Sequence, residues 1–289
     1  MQTTCHTTHK IRSFVVLLLT AIIALAAAGC AYVEQRPAPS VEQPAAPASV
    51  GSAKLPFGNP TNATADASNE DNYLVARESS VISYNNSRGT ANWAAWRTRA
   101  ADLSNSIERP MFEPDPELPR SFRRIGYYDY AGSGYDRGHL VPAADRFGNR
   151  EQFGQTFYMS NIVPQTADLN QFPWEKFESY ARTLVRRGNE LYTLAGVYGE
   201  AERLKNKVTV PTNCWKVVVV FGRGQRVDTI TNVTRIIAVD MPNTDGIAND
   251  SWEKYRTTVR AIEQRAGIDL FSSLPRELQD RIETRADGN

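Results

Sequence analysis

Histidine is scarce in this chain. Its 289 residues hold three, His6, His9 and His139, so imidazole chemistry beyond the first nine residues falls to His139 alone. Cysteine is equally scarce: Cys5, Cys30 and Cys214 exclude a disulfide-dense scaffold. Neither sign of charge dominates, with 33 Lys and Arg against 32 Asp and Glu. That balance excludes a globally basic coat for a polyanion, and any such contact must be a local patch. The longest apolar run, Phe14 to Leu25, falls short of the roughly 20 residues of a membrane span. With 41% apolar residues the chain is neither wholly disordered nor collagen-like, and its length suits one large domain or two small ones.

The apolar run has another use. Lys10 and Arg12 precede it, and Ala26-Ala27-Ala28-Gly29-Cys30 follows. This is the three-part layout of a secretory signal peptide over residues 1–30. Gly29-Cys30 resembles a bacterial lipoprotein cleavage site, with Ala27 where Leu is usual. Free secretion and a lipid anchor on Cys30 both stay open, and membrane contact is expected only through that anchor. Residues 31–54 carry Pro37, Pro39, Pro44 and Pro47 among Ala, Ser, Glu and Gln, and read as a disordered tether. A globular domain is expected over 55–289. In a lipidated mature chain Cys214 is left without a partner, and its strand-like setting, Asn213 to Val220, predicts a small buried apolar group.

Within that domain, short strands are predicted at Tyr73–Ala76 and Val81–Tyr84, followed by a turn at 85–89. Asn92–Arg97 reads as a return strand or as a helix start. Four prolines between 109 and 120 predict an irregular loop. Thr156–Pro164 reads as a strand. A helix follows from near Phe172 to Arg187, because Phe177, Tyr180, Ala181 and Leu184 recur at threes and fours. Further strands are expected at Leu191–Ala195, Trp215–Phe221 and Arg235–Val239, and helices at Ser251–Arg265 and Pro275–Thr284. Strands and helices mixed without βαβ alternation give an α+β class.

His139 closes the run Gly134-Tyr135-Asp136-Arg137-Gly138-His139. In an extended segment Arg137 and His139 share a face, which sets a guanidinium fork suited to phosphate beside a base suited to water. A surface turn with a solvated ion pair fits the same hexapeptide. Asn161, Gln165 and Asn170 surround the next strand-to-helix junction. Asn170 reads either as a helix cap or as an oxygen ligand for Mg²⁺, a hard ion that keeps most of its waters. Glu178 and Arg182 stand four apart on one helix face, the spacing of an ordinary surface salt bridge.

Taken together these residues resemble the DNA/RNA non-specific endonucleases of the ββα-metal (His-Me finger) superfamily, and within it the cyanobacterial-type sugar-non-specific nucleases. The matching positions are 134–139, Pro142, Asp145-Arg146, Met159-Ser160-Asn161, Pro164-Gln165, Asn170, Trp174, Glu178 and Arg182. The likeness extends upstream through Ser83–Ser87 and Gly89–Trp93, and downstream through Lys207–Pro211 and Trp215–Val219. It implies a central mixed or antiparallel sheet flanked by helices, with a strand–strand–helix finger holding the site. It implies His139 as general base, Asn170 as the direct ligand of Mg²⁺ (Mn²⁺ substituting), and Glu178 holding metal-bound water. Arg109 would stabilise the pentacovalent phosphate, Arg137 and Arg182 would clamp phosphate oxygens, and Asp136 and Asn161 would support the site.

The chemistry agrees. Phosphodiester hydrolysis needs a deprotonated water, a neutralised phosphate and a protonated 3′ leaving oxygen, which leaves a 5′-phosphate end. Nothing in this set reads a base edge, so DNA and RNA should both be cut with little sequence preference. A cognate protein inhibitor fits such an enzyme, since its producer needs protection before export. Two other readings compete. One is a non-catalytic surface lipoprotein that binds nucleic acid on a nuclease-like scaffold. The other is a serine hydrolase using His139 with a Ser such as Ser160 and an Asp, for which no Gly-x-Ser-x-Gly elbow exists.

Overall fold

The computed structural model describes residues 54–104, 107–226 and 229–288. The signal segment, Cys30 and the tether up to residue 53 lie outside them. The strands, in chain order, are β1 (Tyr73–Ala76), β2 (Val81–Asn85), β3 (Thr90–Thr98), β4 (Asp136–His139), β5 (Ile162–Gln165), β6 (Glu190–Tyr198), β7 (Glu202–Leu204), β8 (Val208–Val210), β9 (Asn213–Phe221), β10 (Arg235–Pro242) and β11 (Arg256–Thr257). The helices are α1 (Tyr127–Tyr130), α2 (Arg150–Gln155), α3 (Ala167–Leu169), α4 (Glu175–Arg186), α5 (Val259–Ala266) and α6 (Arg276–Ile282). Seven strands form one sheet in the order β1-β2-β3-β6-β9-β10-β11, antiparallel throughout, and β4–β5 and β7–β8 pair separately. This is the expected α+β class.

Apolar residues cover both faces of the sheet, and strand alternation sorts them. In β3, Ala94 and Trp96 face one core while Trp93 and Ala95 face the other. In β9, Cys214 and Val218 share the first core, and Trp215, Val217, Val219 and Phe221 the second. The first core packs under Leu140, Val163 and the α4 residues Phe177, Ala181, Leu184 and Val185. The second packs under Val259 and Ile262 of α5 and Ile282 of α6. The finger and α4 therefore lie on one side of the sheet and the C-terminal helices on the other. Period two also places Lys216, between Cys214 and Val218, on the finger side.

One open reading resolves and three segments depart from the sequence reading. Asn92–Arg97 lies within strand β3. Of Thr156–Pro164 only Ile162 onward is strand, because a tight turn at Met159–Asn161 intervenes. The helix expected over Ser251–Arg265 is broken: a turn at Trp252–Tyr255 leads into β11, and α5 starts only where the Thr258 hydroxyl accepts from the Ala261 amide. The helix expected from Phe172 begins as a wide turn, Asn170–Trp174, before α4. Pro173 lacks an amide donor, and the wider turn absorbs the missing bond. Cys214 is fully buried, and burial pushes its thiol up to about 12, as suits an inert apolar group. No helix among the described residues is long and apolar enough to cross a membrane.

Candidate active site

The finger is a two-strand ladder in which Arg137 faces Pro164 and His139 faces Ile162. The chain can close here because residue 138 is glycine. A Cβ at Gly138 would stand 1.8 Å from Oε1 and 2.7 Å from Cγ of the fully buried Gln165, so turning the amide end alone would not relieve the clash. Gly138→Ala is expected to destabilise the protein by about 1–3 kcal/mol or more through overpacking, lowering Tm by roughly 2–4 °C per kcal/mol in a thermal melt. An unchanged melt would show that the ladder tolerates a side chain there.

Past His139 the chain is pinned by Asn161. Its Oδ1 accepts from the Val141 amide at 3.0 Å, and its Nδ2 donates to the carbonyls of Val141 (3.0 Å) and Thr156 (2.9 Å). Asn161 thus supports the finger from behind and does not line the cavity.

His139, Arg109, Arg137, Asn170, Glu178 and Arg182 line one cavity of about 580 Å³. Asp136 stands just behind its wall and takes hydrogen bonds from Asn170 Nδ2 (2.9 Å) and Gln171 Nε2 (2.8 Å). A carboxylate only accepts, so this contact fixes the Asn170 amide with its nitrogen toward Asp136 and its oxygen free for another partner. Asn170 is not an N-cap: it sits at the C-terminal end of α3, whose N-cap is Thr166, with its hydroxyl accepting from the Leu169 amide at 3.2 Å.

The imidazole packs between the rings of Phe112 and Phe157, with centroids 5.5 and 5.2 Å away. Its Nε2 is buried without a hydrogen-bond partner. Burial, then the positive charges of Arg109 and Lys216, pull its pKa down to about 3. The imidazole is therefore neutral near pH 7 and able to accept a proton. Arg109 lies over the Phe157 ring at 5.3 Å, and Arg137 over Tyr127 at 3.9 Å while donating to the Tyr127 carbonyl. Both guanidinium groups are thus seated on aromatic faces.

Glu178 and Arg182 are nearly buried, not an exposed pair. Arg182 approaches Asp145 at 3.4 Å and Glu178 at 3.9 Å. Asp145 in turn accepts from the Trp96 indole (3.0 Å) and the Thr98 hydroxyl (3.2 Å). Lys216, to which the sequence reading gave no role, reaches up from the sheet to Glu178 Oε1 at 2.6 Å. A lone lysine inside the run Cys214-Trp215-Lys216-Val217-Val218 was the available signal, since a charge at an inward strand position requires a partner. Burial pushes the Glu178 carboxyl up, and Lys216 and Arg182 oppose it. Ser160 is buried, with its hydroxyl given to Asp115, and makes no hydrogen bond to His139. No serine lines the cavity either, so the serine-hydrolase reading has no nucleophile here among the described residues.

The donors fit a hard divalent cation: an amide oxygen and a carboxylate, with neither a thiolate nor a second imidazole at the cavity. The three-carboxylate group Glu263, Asp269 and Glu283 contributes nothing to this cavity.

Residues 58–277 match the family model described as DNA/RNA non-specific endonuclease. A Nostoc protein named Nuclease is 43% identical over 238 residues, covering 82% of this chain and 86% of that one. Nuclease C1 of Cunninghamella echinulata is 33% identical over 237 residues, covering 76% and 88%. Among solved structures, the crystal structure of the EndoG/EndoGI complex superposes with a TM-score of 0.64 at 22% identity, covering 78% of this chain and 93% of that chain. Nucleases of this family depend on a divalent metal. The chain belongs to the DNA/RNA non-specific endonuclease family.

Proposed function

We propose that this protein is an exported, Mg²⁺-dependent endonuclease that hydrolyses DNA and RNA with little sequence preference. One observation carries the reading: a neutral imidazole, three arginines, a fixed asparagine amide and a nearly buried glutamate converge on one cavity. His139 Nε2 takes the proton from the attacking water. Arg109, Arg137 and Arg182 balance the charge that accumulates on the phosphate, and Asp145 holds Arg182 in place. The 3′ oxygen departs and is protonated from water, leaving a 5′-phosphate end. Asn170 Oδ1 would hold the cation, with Glu178 reaching it through water. A divalent cation bound there supplies Lewis-acid neutralisation of the phosphate and the departing oxygen. None of these groups reads a base edge, which supports action on both nucleic acids.

Purified protein incubated with supercoiled plasmid and with RNA should degrade both in Mg²⁺ (or Mn²⁺) and neither in EDTA. Cleavage that persists in EDTA, or is absent in both metals, would overturn the reading. Absent cleavage with retained binding would favour the non-catalytic scaffold. Asn170→Ala should raise the Mg²⁺ concentration for half-maximal rate by an order of magnitude or abolish turnover; an unchanged metal curve removes Asn170 as ligand.

The signal over residues 1–30 supports export, to the periplasm, the medium or the cell envelope. Palmitate labelling at Cys30 tests the anchored form. A cognate protein inhibitor belongs to the same reading.

A further inference from the structure

We propose that Tyr128 and Phe172 are stacking platforms for unpaired nucleobases beside the scissile phosphate, so that the enzyme favours single-stranded or locally melted strands. The inference rests on the cavity being the phosphodiesterase site. Scattered exposed apolar residues are normal on a protein surface. Here they are not scattered. Among the described residues the exposed large apolar side chains are Met111, Tyr127, Tyr128, Phe172 and Val233. None of them lines the cavity, but all except Val233 neighbour its lining residues in sequence or through ring contacts. Met111 follows Arg109 by two residues. Tyr127 carries the Arg137 guanidinium, and Tyr128 meets Tyr127 edge to face at 5.4 Å. Phe172 follows Asn170 and Gln171, both in the cavity wall.

Both rings are exposed on rigid mounts. Tyr128 is 77% exposed, yet α1 beneath it is held at several points. The Gly126 amide donates to Asp129 at 2.9 Å, and Asp129 pairs with Lys207 at 2.8 Å. Tyr130 is buried, and Lys205 donates to the Tyr128 carbonyl. Phe172 is 37% exposed in the wide turn, which buried Trp174 anchors by donating from its indole to the His139 carbonyl. An aromatic face held in water without freedom to collapse loses little entropy when a base covers it. Cations interleave with the rings: Arg137 at Tyr127, and Lys176 at 5.7 Å from Phe172. Aromatic faces alternating with phosphate-binding cations form the surface that single strands take, whatever their sequence. In a duplex the base faces are already stacked and cannot use it.

The test compares a short oligothymidylate with an abasic strand carrying the same phosphates. Binding is read by fluorescence anisotropy in EDTA, where the strand is not cut. Wild type should bind the thymidine strand on the order of tenfold tighter than the abasic one. Tyr128→Ala and Phe172→Ala should each reduce that ratio severalfold, the double variant should bring it near one, and Tyr128→Phe should preserve it. The far-UV circular dichroism spectrum of each variant is read beside the ratio, and only variants with the wild-type spectrum are scored. A wild-type ratio near one, or a ratio unaltered in the double variant, overturns the proposal. Failure of the nuclease reading appears separately, as intact plasmid in Mg²⁺.

Discussion

His139→Ala is expected to slow plasmid cleavage at saturating Mg²⁺ by a factor on the order of 10²–10⁴ while leaving the far-UV spectrum intact. The ring occupies a position that only a neutral base suits. It is half-buried between Phe112 and Phe157, with its Nε2 shielded from water, and Arg109 and Lys216 repel its cationic form. The same environment gives a second, independent readout. The pKa falls from the ordinary 6.5 to about 3 on folding. Between those values the unfolded chain takes up a proton that the native state refuses, so this group makes stability fall as pH falls from 6.5 toward 3. The alanine variant lacks that proton uptake. Its stability in urea melts should drop less than wild type's between pH 7 and pH 4, even if it starts lower because of the cavity left behind. A cleavage rate within a few-fold of wild type would remove His139 as the base. Equal acid sensitivity in the two proteins would mean that the imidazole is not held neutral.

How much of this was legible beforehand depended on how local each signal was. The finger run 134–139 could be read because its six residues form one extended stretch, and alternation alone puts Arg137 and His139 together. The sheet strands could be read as apolar runs, but Asn92–Arg97 stayed ambiguous. Both faces of β3 are buried, so Trp93 and Trp96 mark no single face. The Thr156–Pro164 run was apolar enough for a strand throughout. Nothing in its composition showed that the Asn161 side chain would serve as a backbone partner for Val141 and fold the first half into a turn. The helix expected over Ser251–Arg265 failed for a similar reason: Trp252, Tyr255, Val259 and Ile262 keep helical spacing across a break that Thr258 sets by capping the second half. Least legible were the contacts between residues distant in sequence. Asp136 orients Asn170 from 34 positions away, and Lys216 meets Glu178 across 38. Pattern within a window cannot show them.

Lys216→Met should therefore be among the most damaging changes outside the groups that touch phosphate. Lys216 is 1% exposed, with its ammonium 2.6 Å from Glu178 Oε1 and 4.2 Å from the centre of the Trp174 ring. Burial acts against the charge on each partner, pulling the lysine down and the carboxyl up, and their contact opposes both shifts. Methionine keeps the volume of the stem but leaves Glu178 facing only Arg182, at 3.9 Å. Breaking one side of a buried pair costs about 3–5 kcal/mol. At roughly 2–4 °C per kcal/mol, Tm should fall by about 6–20 °C. Glu178 should also take up a proton more readily, which withdraws a carboxylate from the cavity and raises the Mg²⁺ requirement. The double variant Lys216→Met/Glu178→Gln separates the two effects. With no unpaired charge left, it should recover much of the lost stability while activity stays low. A double-mutant cycle should give a coupling above about 1 kcal/mol. If the two changes simply add, the pair holds neither the fold nor the carboxylate, and Glu178 is positioned by Arg182 alone.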